Sequence, residues 1–425
     1  MTSRFRLVLV ACCVTLAGCG DSYNAGPLKY VESERLRADL KDKPKLQEAV
    51  RRALARSFGE DPQHIRVPAG SGLPGGGVYL ANKVQTGEGE GAVAKPLLVQ
   101  RATADGQTED VPLEGGYALY RTHCLHCHGV SGAGDGPTAP FLYPRPRDYR
   151  MGKFKFTSTP TGAKPTREDL RKTIRYGLHG TSMPAFEPLM TDVESEQVLD
   201  YVIFLSMRGE VELALIEEAT FADETDQDPI PDPKVQEFVA KVAEGWKSAE
   251  SQVVNPPVPR TPPTRASVLR GRHLFLGGKV KNDQGQDVSV DCTSCHGPKA
   301  MGDGPSIVAQ EVFNDVVFHG DPSTEAQRLA KYDEKTREFW KNSLDDWGRP
   351  LRPANLNRGI YKGGRRPIDI YWRIAKGING SKMMAHYPTL KPEQIWDLVD
   401  FVLELPYEPE LLEGATLPAP AVARR

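Results

Sequence analysis

Residues 123–129, His123-Cys124-Leu125-His126-Cys127-His128-Gly129, decide the reading of this chain, because their second to seventh positions return 168 residues later as Cys292-Thr293-Ser294-Cys295-His296-Gly297. Each copy is a CxxCH motif. Two thiols separated by two residues on a tight helical turn can reach two vinyl groups on one edge of a porphyrin. The next residue then points its imidazole under the iron. Gly134-Asp135-Gly136-Pro137 follows the first motif and recurs at the same offset as Gly302-Asp303-Gly304-Pro305. Further on, Ile174-Arg175-Tyr176-Gly177-Leu178-His179-Gly180-Thr181-Ser182-Met183 returns as Ile374-Ala375-Lys376-Gly377-Ile378-Asn379-Gly380-Ser381-Lys382-Met383, and Asp200-Tyr201-Val202 returns as Asp400-Phe401-Val402. These later blocks are offset by 200, so the chain is an internal repeat whose second copy carries 32 additional residues, nearly all within 311–347.

A lone CxxCH could equally be a dithiol site or half of a zinc site. A structural zinc needs about four ligands, and pooling the two pairs into one Cys₄ site would leave both histidines and both repeated methionines without a purpose. A thioredoxin-like dithiol expects a strand before the motif and a long helix after it, whereas the flanks here are Gly-rich. Covalent haem c, one group per copy, accounts for all the repeated positions. The candidate attachment residues are Cys124, Cys127, Cys292 and Cys295, with His128 and His296 as the first iron ligands. An iron held by one histidine needs a sixth ligand if it is to carry electrons and not bind small molecules. Met183 and Met383 are the candidates, because each sits on a Gly-rich loop able to fold over the opposite haem face. A thioether favours ferrous iron and raises the potential. Met384, His179 and His386 are rivals, but alignment through Gly380 puts Met384 where Pro184 stands and favours Met383. Ordinary core filling is the bland account of each methionine. No catalytic residue is expected.

Gly116, Tyr120 and Cys124 are spaced by four and share one helix face, and Gly271 and Phe275 repeat the first two. A glycine there lets another helix approach closely, and the natural partner is the terminal helix of each copy, expected at 194–205 and 392–403 with Tyr201 or Phe401 on it. Arg145, Arg147, Arg349 and Arg352 fall on loops that could bring guanidinium groups to haem propionates, or could simply be solvated.

The first residues read as an export signal: Arg4 and Arg6, an almost unbroken apolar run over 7–16, then Leu16-Ala17-Gly18-Cys19. The run is short for a spanning helix. Cleavage would remove Cys12 and Cys13, leaving four cysteines besides Cys19, all in the CxxCH motifs. The formal net charge of −2 gives no reason to expect binding to nucleic acid. The 40 glycines and 35 prolines predict short helices joined by rigid irregular connections rather than a large sheet. The expected organisation is a signal at 1–18, an N-terminal extension or tether at 19–112 with a helical stretch over 32–58, and a first compact unit at 113–209. An acidic and then Pro-rich linker follows at 210–265, its 210–237 part holding ten Asp or Glu against one Lys. The second unit spans 266–407, with an insertion at 311–347, before a disordered tail at 408–425.

These motifs resemble the class I cytochrome c family, specifically membrane-bound bacterial dihaem members with two fused domains, over about 230 of the 425 residues. The resemblance implies an all-α fold of two tandem class I cytochrome c domains with Gly/Pro-rich loops around each haem. It places the proximal ligands on His128 and His296 and the distal ligands on Met183 and Met383. Residues 16–19 resemble a bacterial lipobox, in which Cys19 would be acylated and would anchor the protein at a membrane on the periplasmic side of the cell envelope. The segment Pro353-Ala354-Asn355-Leu356, with Gly359 and Asp369-Ile370-Tyr371, looks like cytochrome subunits of quinol-oxidising complexes or terminal oxidases. The function so implied is electron relay between respiratory redox partners, such as a mobile cytochrome and one of those complexes. The alternatives are a dihaem peroxidase with one exchangeable haem ligand and a structural haem-bearing lipoprotein subunit. The acidic stretch would either steer a basic partner or serve as a solvated linker.

Overall fold

The computed structural model describes residues 28–62, 64–73, 83–86, 93–96, 98–103, 107–112, 114–318 and 324–414. The expected signal at 1–18, the expected acylation site Cys19 and the final residues 415–425 lie outside them. Helices dominate, as an all-α fold requires. Strands among the described residues form three antiparallel two-stranded hairpins: β1 (Lys83–Thr86) with β2 (Val93–Pro96), β3 (Leu98–Ala102) with β4 (Thr108–Pro112), and β5 (Val280–Lys281) with β6 (Asp287–Val288). Among the described residues no helix is long and apolar enough to cross a membrane.

The N-terminal helical stretch is two helices, α1 (Glu34–Asp39) and α2 (Pro44–Phe58). Pro44 separates them, because a proline lacks the amide a preceding turn would use yet suits the first helical position. Their apolar faces, Leu36, Leu40, Leu46, Val50, Leu54 and Phe58, are fully buried in the first core together with Val198, Phe204, Val211 and Leu215. The motif-bearing part follows: α3 (Gly116–His123), the single turn α4 (Leu125–His128), α5 (Arg167–Tyr176) and the terminal helix α6 (Asp192–Phe221).

Helix α6 is the main departure from the expected organisation. It runs 30 residues without a break, so the expected boundary at 209/210 falls inside it and its predicted end near 205 is too early. The cause is a continuing apolar stripe, Val211, Leu215, Ile216 and Ala219, which buries against α1 and α2. Two of the supposed linker acids are structural. Glu212 accepts hydrogen bonds from the Ser33 amide (2.8 Å) and Arg208 (3.3 Å), while Glu210 pairs with Lys164 and accepts from the Trp246 indole N–H (3.0 Å). The next helix, α7 (Asp232–Ser248), returns along α6 through Val235, Val239, Ala243 and Trp246. Residues 210–248 therefore belong to the first domain's core, and the chain crosses to the second copy only beyond them.

The second domain opens with α8 (Arg265–Phe275), followed by the motif turn α9 (Thr293–His296), and closes with α13 (Pro367–Lys376) and α14 (Pro392–Glu404). Between them the insertion builds α10 (Gln310–Val317), α11 (Glu325–Leu329) and α12 (Glu334–Asn342) around a small core of Val308, Phe313, Val316 and Trp340. Tyr143 of the first domain packs into that core, 5.4 Å from the Phe313 ring and 5.1 Å from Phe318. The start of the expected disordered tail at 408–425 is instead ordered: Pro409–Leu412 is a 3₁₀ turn whose Leu411 and Leu412 are buried, with the Leu411 carbonyl accepting from Arg272.

The two glycines singled out by spacing stand where the helices cross. A Cβ on Gly116 would lie 2.4 Å from the Gln197 carbonyl oxygen, and one on Gly271 would lie 2.0 Å from the Asp397 carbonyl oxygen and 2.7 Å from the Phe401 Cβ. Neither backbone can retreat without moving α6 or α14. Gly271→Ala is expected to destabilise the second domain by about 1–3 kcal/mol through overpacking. Gly245→Ala is the contrast: it sits in α7 with only the flexible Lys164 side chain nearby, at 3.7 Å, and should be neutral or stabilising because glycine is a poor helix former. Urea unfolding of both variants measures the difference.

Candidate haem sites

Each cysteine turn is too short to hold itself and is fixed by what surrounds it. In the first copy the His128 amide donates to the Cys124 carbonyl (2.9 Å), and in the second the His296 amide donates to Cys292 (2.9 Å). The Gly-Asp-Gly-Pro loop then folds under the turn with the same bonds in both domains. Gly134 N–H donates to His128 C=O (2.9 Å) and Gly136 N–H to Cys127 C=O (3.2 Å); Gly302 donates to His296 (2.8 Å) and Gly304 to Cys295 (3.1 Å). Gly129 and Gly297 end the two turns at φ of +75° and +76°, where a side chain would be strained and a Cβ would strike the carboxylate of Asp135 or Asp303.

The imidazoles are oriented from behind by backbone. His128 Nδ1 lies 3.4 Å from the Arg147 carbonyl oxygen and His296 Nδ1 lies 3.2 Å from that of Ala354. A carbonyl can only accept, so Nδ1 carries the proton and Nε2 keeps its lone pair for a metal. Burial pushes the His128 imidazolium down to about 4 and depresses His296 in the same direction, which keeps both rings in the neutral form a metal needs.

The methionine loops are also superimposable in their bonding. Leu178 N–H donates to Met183 C=O (3.1 Å) and Met183 N–H to the Thr181 hydroxyl (3.1 Å); Ile378 donates to Met383 (3.1 Å) and Met383 to the Ser381 hydroxyl (3.2 Å). Met183 packs against the first core and Met383 against the second, whereas Met384 is 69% exposed. His386 is half-buried and His179 exposed.

None of the four motif cysteines is paired in a disulfide. Burial, with the neighbouring thiol adding to it, pushes Cys124 up to about 12; burial and Asp291 do the same for Cys292. Cys124 belongs to the first core and Cys292 packs on the second. Among the described residues no group of three or more His, Cys, Asp or Glu is placed to hold a metal ion. Paired thiols with an adjoining imidazole whose Nε2 is free, together with a soft thioether on a separate loop, fit haem c better than zinc or a redox dithiol.

Three residues that face this machinery differ between the copies. Tyr149 donates to the Tyr120 hydroxyl (2.6 Å), which donates to the Gly129 carbonyl (2.8 Å), and the Tyr120 ring lies 5.1 Å from Tyr201. Tyr149 also lies 5.5 Å from the His128 ring. The second domain has Phe275 and Phe401 for Tyr120 and Tyr201. Leu356 stands for Tyr149, since its amide meets Ala300 C=O (2.9 Å) just as that of Tyr149 meets Gly132 (3.0 Å). Sequence reasoning missed the pairing of Tyr149 with Leu356 because the extra residues of the second copy precede it and no motif marks it. Of the four arginines that could face propionates or solvent, Arg147 is committed to Asp345 (3.2 Å) and Arg352 donates to the carbonyls of Gly302 (2.9 Å) and Val308 (3.3 Å).

Two helical domains, each carrying a CxxCH turn and a methionine loop, define a protein of the tandem haem-binding class. Residues 112–202 match the family model described as cytochrome c oxidase, cbb3-type, subunit III, and residues 283–406 match the model described as cytochrome c. The chain is a c-type cytochrome with two haem-binding domains. A chain of the Kuenenia stuttgartiensis reducing HAO-like protein complex is similar at 23% identity and a TM-score of 0.43, covering 68% of this chain and 94% of that one. No curated protein sequence matches the chain.

The tyrosine chain yields a measurable asymmetry. Tyr120→Phe removes the hydroxyl that both Tyr149 and Gly129 use and should cost about 1–3 kcal/mol, whereas Tyr149→Phe leaves the Tyr120–Gly129 bond in place and should cost about 1 kcal/mol. Denaturant midpoints of the two variants, compared with wild type, give the order.

Proposed function

We propose that the protein is an electron carrier, not an enzyme, in which each domain holds one covalently attached haem c. Cys124 and Cys127 tether the first group and Cys292 and Cys295 the second. His128 with Met183, and His296 with Met383, supply the axial ligands. The observation that carries this reading is the matched bonding of the histidine turn and the methionine loop in both domains. The exposure of Met384 favours Met383 as the second sixth ligand. Haem c, when bound, supplies a one-electron ferric–ferrous couple. The chain's own work is to fix two ligand atoms per iron, so that little moves when the charge changes, and to exclude water from the pocket. Under this reading the partners are other redox proteins: a mobile cytochrome, and a quinol-oxidising complex or terminal oxidase. We further propose export, acylation of Cys19 and residence at the periplasmic face of a membrane.

Intact mass and the pyridine haemochrome spectrum count the groups directly. Two haems that stay with the denatured chain are expected, and one or none would reject the assignment. Met383→Ala should lower the second midpoint potential and let the reduced protein bind carbon monoxide quickly, while Met384→Ala should do neither. The opposite pattern moves the ligand by one residue. Rapid carbon monoxide binding by the wild type would favour a peroxidase-type enzyme instead.

The first pocket is the more polar, and a hydroxyl dipole stabilises the more highly charged ferric state better than a hydrocarbon does. Tyr149→Leu, which installs the second domain's residue, is therefore expected to raise the first midpoint potential and leave the second unmoved. Spectroelectrochemical titration checks it.

A further inference from the structure

The insertion that distinguishes the second copy ends in Asp345-Asp346-Trp347, and the turn these residues make with Gly348 and Arg349 forms part of the seam between the domains, beside contacts such as Gly162 with Asn379 and Thr157 with Lys376. Asp345, with its side chain 1% exposed, accepts from Arg147 (3.2 Å) and Lys155 (2.8 Å) of the first domain and from the backbone amides of Trp347 (3.0 Å) and Arg349 (2.9 Å) of its own turn. Trp347 is thereby set between two loops. Its indole N–H donates to the Asp148 carbonyl (2.6 Å), and the Arg147 guanidinium lies 3.9 Å above its ring. On the other side the ring fills the space a side chain on Gly380 would need, since a Cβ there would lie 2.3 Å from Trp347 Cζ3. The Asp346 amide donates to the Gly380 carbonyl (3.1 Å) and ties the same turn to the same loop.

Both loops lead to proposed iron ligands. The Arg147 carbonyl, one peptide from Asp148, faces His128 Nδ1 at 3.4 Å. Gly380 stands three residues before Met383 on the loop closed by the Ile378–Met383 bond. A route therefore runs from the His128 ring across two hydrogen bonds and one peptide unit into the indole, and from the indole by ring contact into the Met383 loop. Electrons cross bonded and hydrogen-bonded atoms more readily than empty gaps, because orbital overlap falls steeply with through-space distance.

We propose that Trp347 is the coupling residue between the two haem pockets and that Asp345, through Arg147 and Lys155, is the residue that positions it. The proposal rests on the two-haem reading above. With both haems bound, one electron would leave one iron, oxidising it, and enter the other, reducing it. No bond forms or breaks and no proton moves; Trp347 lends its orbitals and is not itself oxidised.

The test uses the full haem-loaded protein. Flash reduction of the oxidised protein starts electron equilibration between the haems, followed at wavelengths where their spectra differ, with haem content, low-spin spectra and both midpoints recorded in parallel. Trp347→Leu is expected to slow equilibration by an order of magnitude with two haems and both spectra retained, Trp347→Phe to slow it less, and Asp345→Asn to slow it by loosening the indole. Lys153→Ala breaks an exposed ion pair to Asp346 (2.9 Å) at the same seam and should leave the rate unchanged. An unchanged rate in Trp347→Leu overturns the proposal. So does a Lys153→Ala rate as slow as that of Trp347→Leu, which would make seam looseness and not the indole the determinant. A wild-type protein with fewer than two haems overturns the two-haem reading itself, before any variant is compared.

Discussion

Two free thiols and an imidazole must point the same way from a helical turn four residues long, and a helix of that length has no stability of its own. The rest of each domain exists to hold that turn. In the first domain the preceding helix delivers the first cysteine, whereas in the second the β5–β6 hairpin stands between helix and cysteine; in both, the Gly-Asp-Gly-Pro loop bonds to the turn and a later carbonyl fixes the histidine ring from behind. The glycines close the arrangement because each is approached by a carboxylate or a backbone carbonyl within the space a side chain would occupy. None of these bonds is strong singly, but together they leave the turn one conformation.

Tertiary packing explains why the domains are larger than their motifs. A small shell around a cofactor has little apolar surface to bury, and here α1, α2, α6 and α7 add a helical layer to the first domain while α10, α11 and α12 add one beside the second. The N-terminal extension is therefore part of a core over 28–58 rather than a tether there. The acids at 210 and 212 are spent on Lys164, Trp246, Arg208 and Ser33, which leaves the acidic character to the more exposed end of α6 and the turn after it.

What was legible in the sequence was what the repeat spelled twice. CxxCH, Gly-Asp-Gly-Pro, the methionine block, Gly116 with Gly271 and the aromatic on the terminal helix all occur in register, and each lies in a corresponding place in the two domains. What occurs once was not legible. Helix α6 continues past the repeat because an apolar stripe of Val211, Leu215 and Ile216 outlasts it, amid acids that no repeated position marks. Trp347 and Asp345 belong to an insertion with no counterpart, so nothing in the sequence tied them to residues 147–155. Tyr149 and Leu356 correspond only through the backbone bonds of Gly132 and Ala300.

The features that occur once are also the ones that make the two halves unequal. Two identical pockets at equal potential would share an electron evenly and give it no direction. The first pocket sets Tyr149, bonded to the Tyr120 hydroxyl, beside its histidine, and the second sets Phe275 beside its own. Under the proposed two-haem reading this difference would lower the first potential relative to the second, because the ferric state is the more highly charged and is better solvated by hydroxyl dipoles. Nearby cations act the other way: Arg147 and Lys155 gather beside the first pocket, where burial and then Arg147 pull the Lys155 ammonium down to about 8. Asp345 offsets much of that positive charge from a distance of 3.2 Å or less to each. One carboxylate of the insertion thus both seats the indole and mutes the field that would otherwise cancel the difference between the pockets.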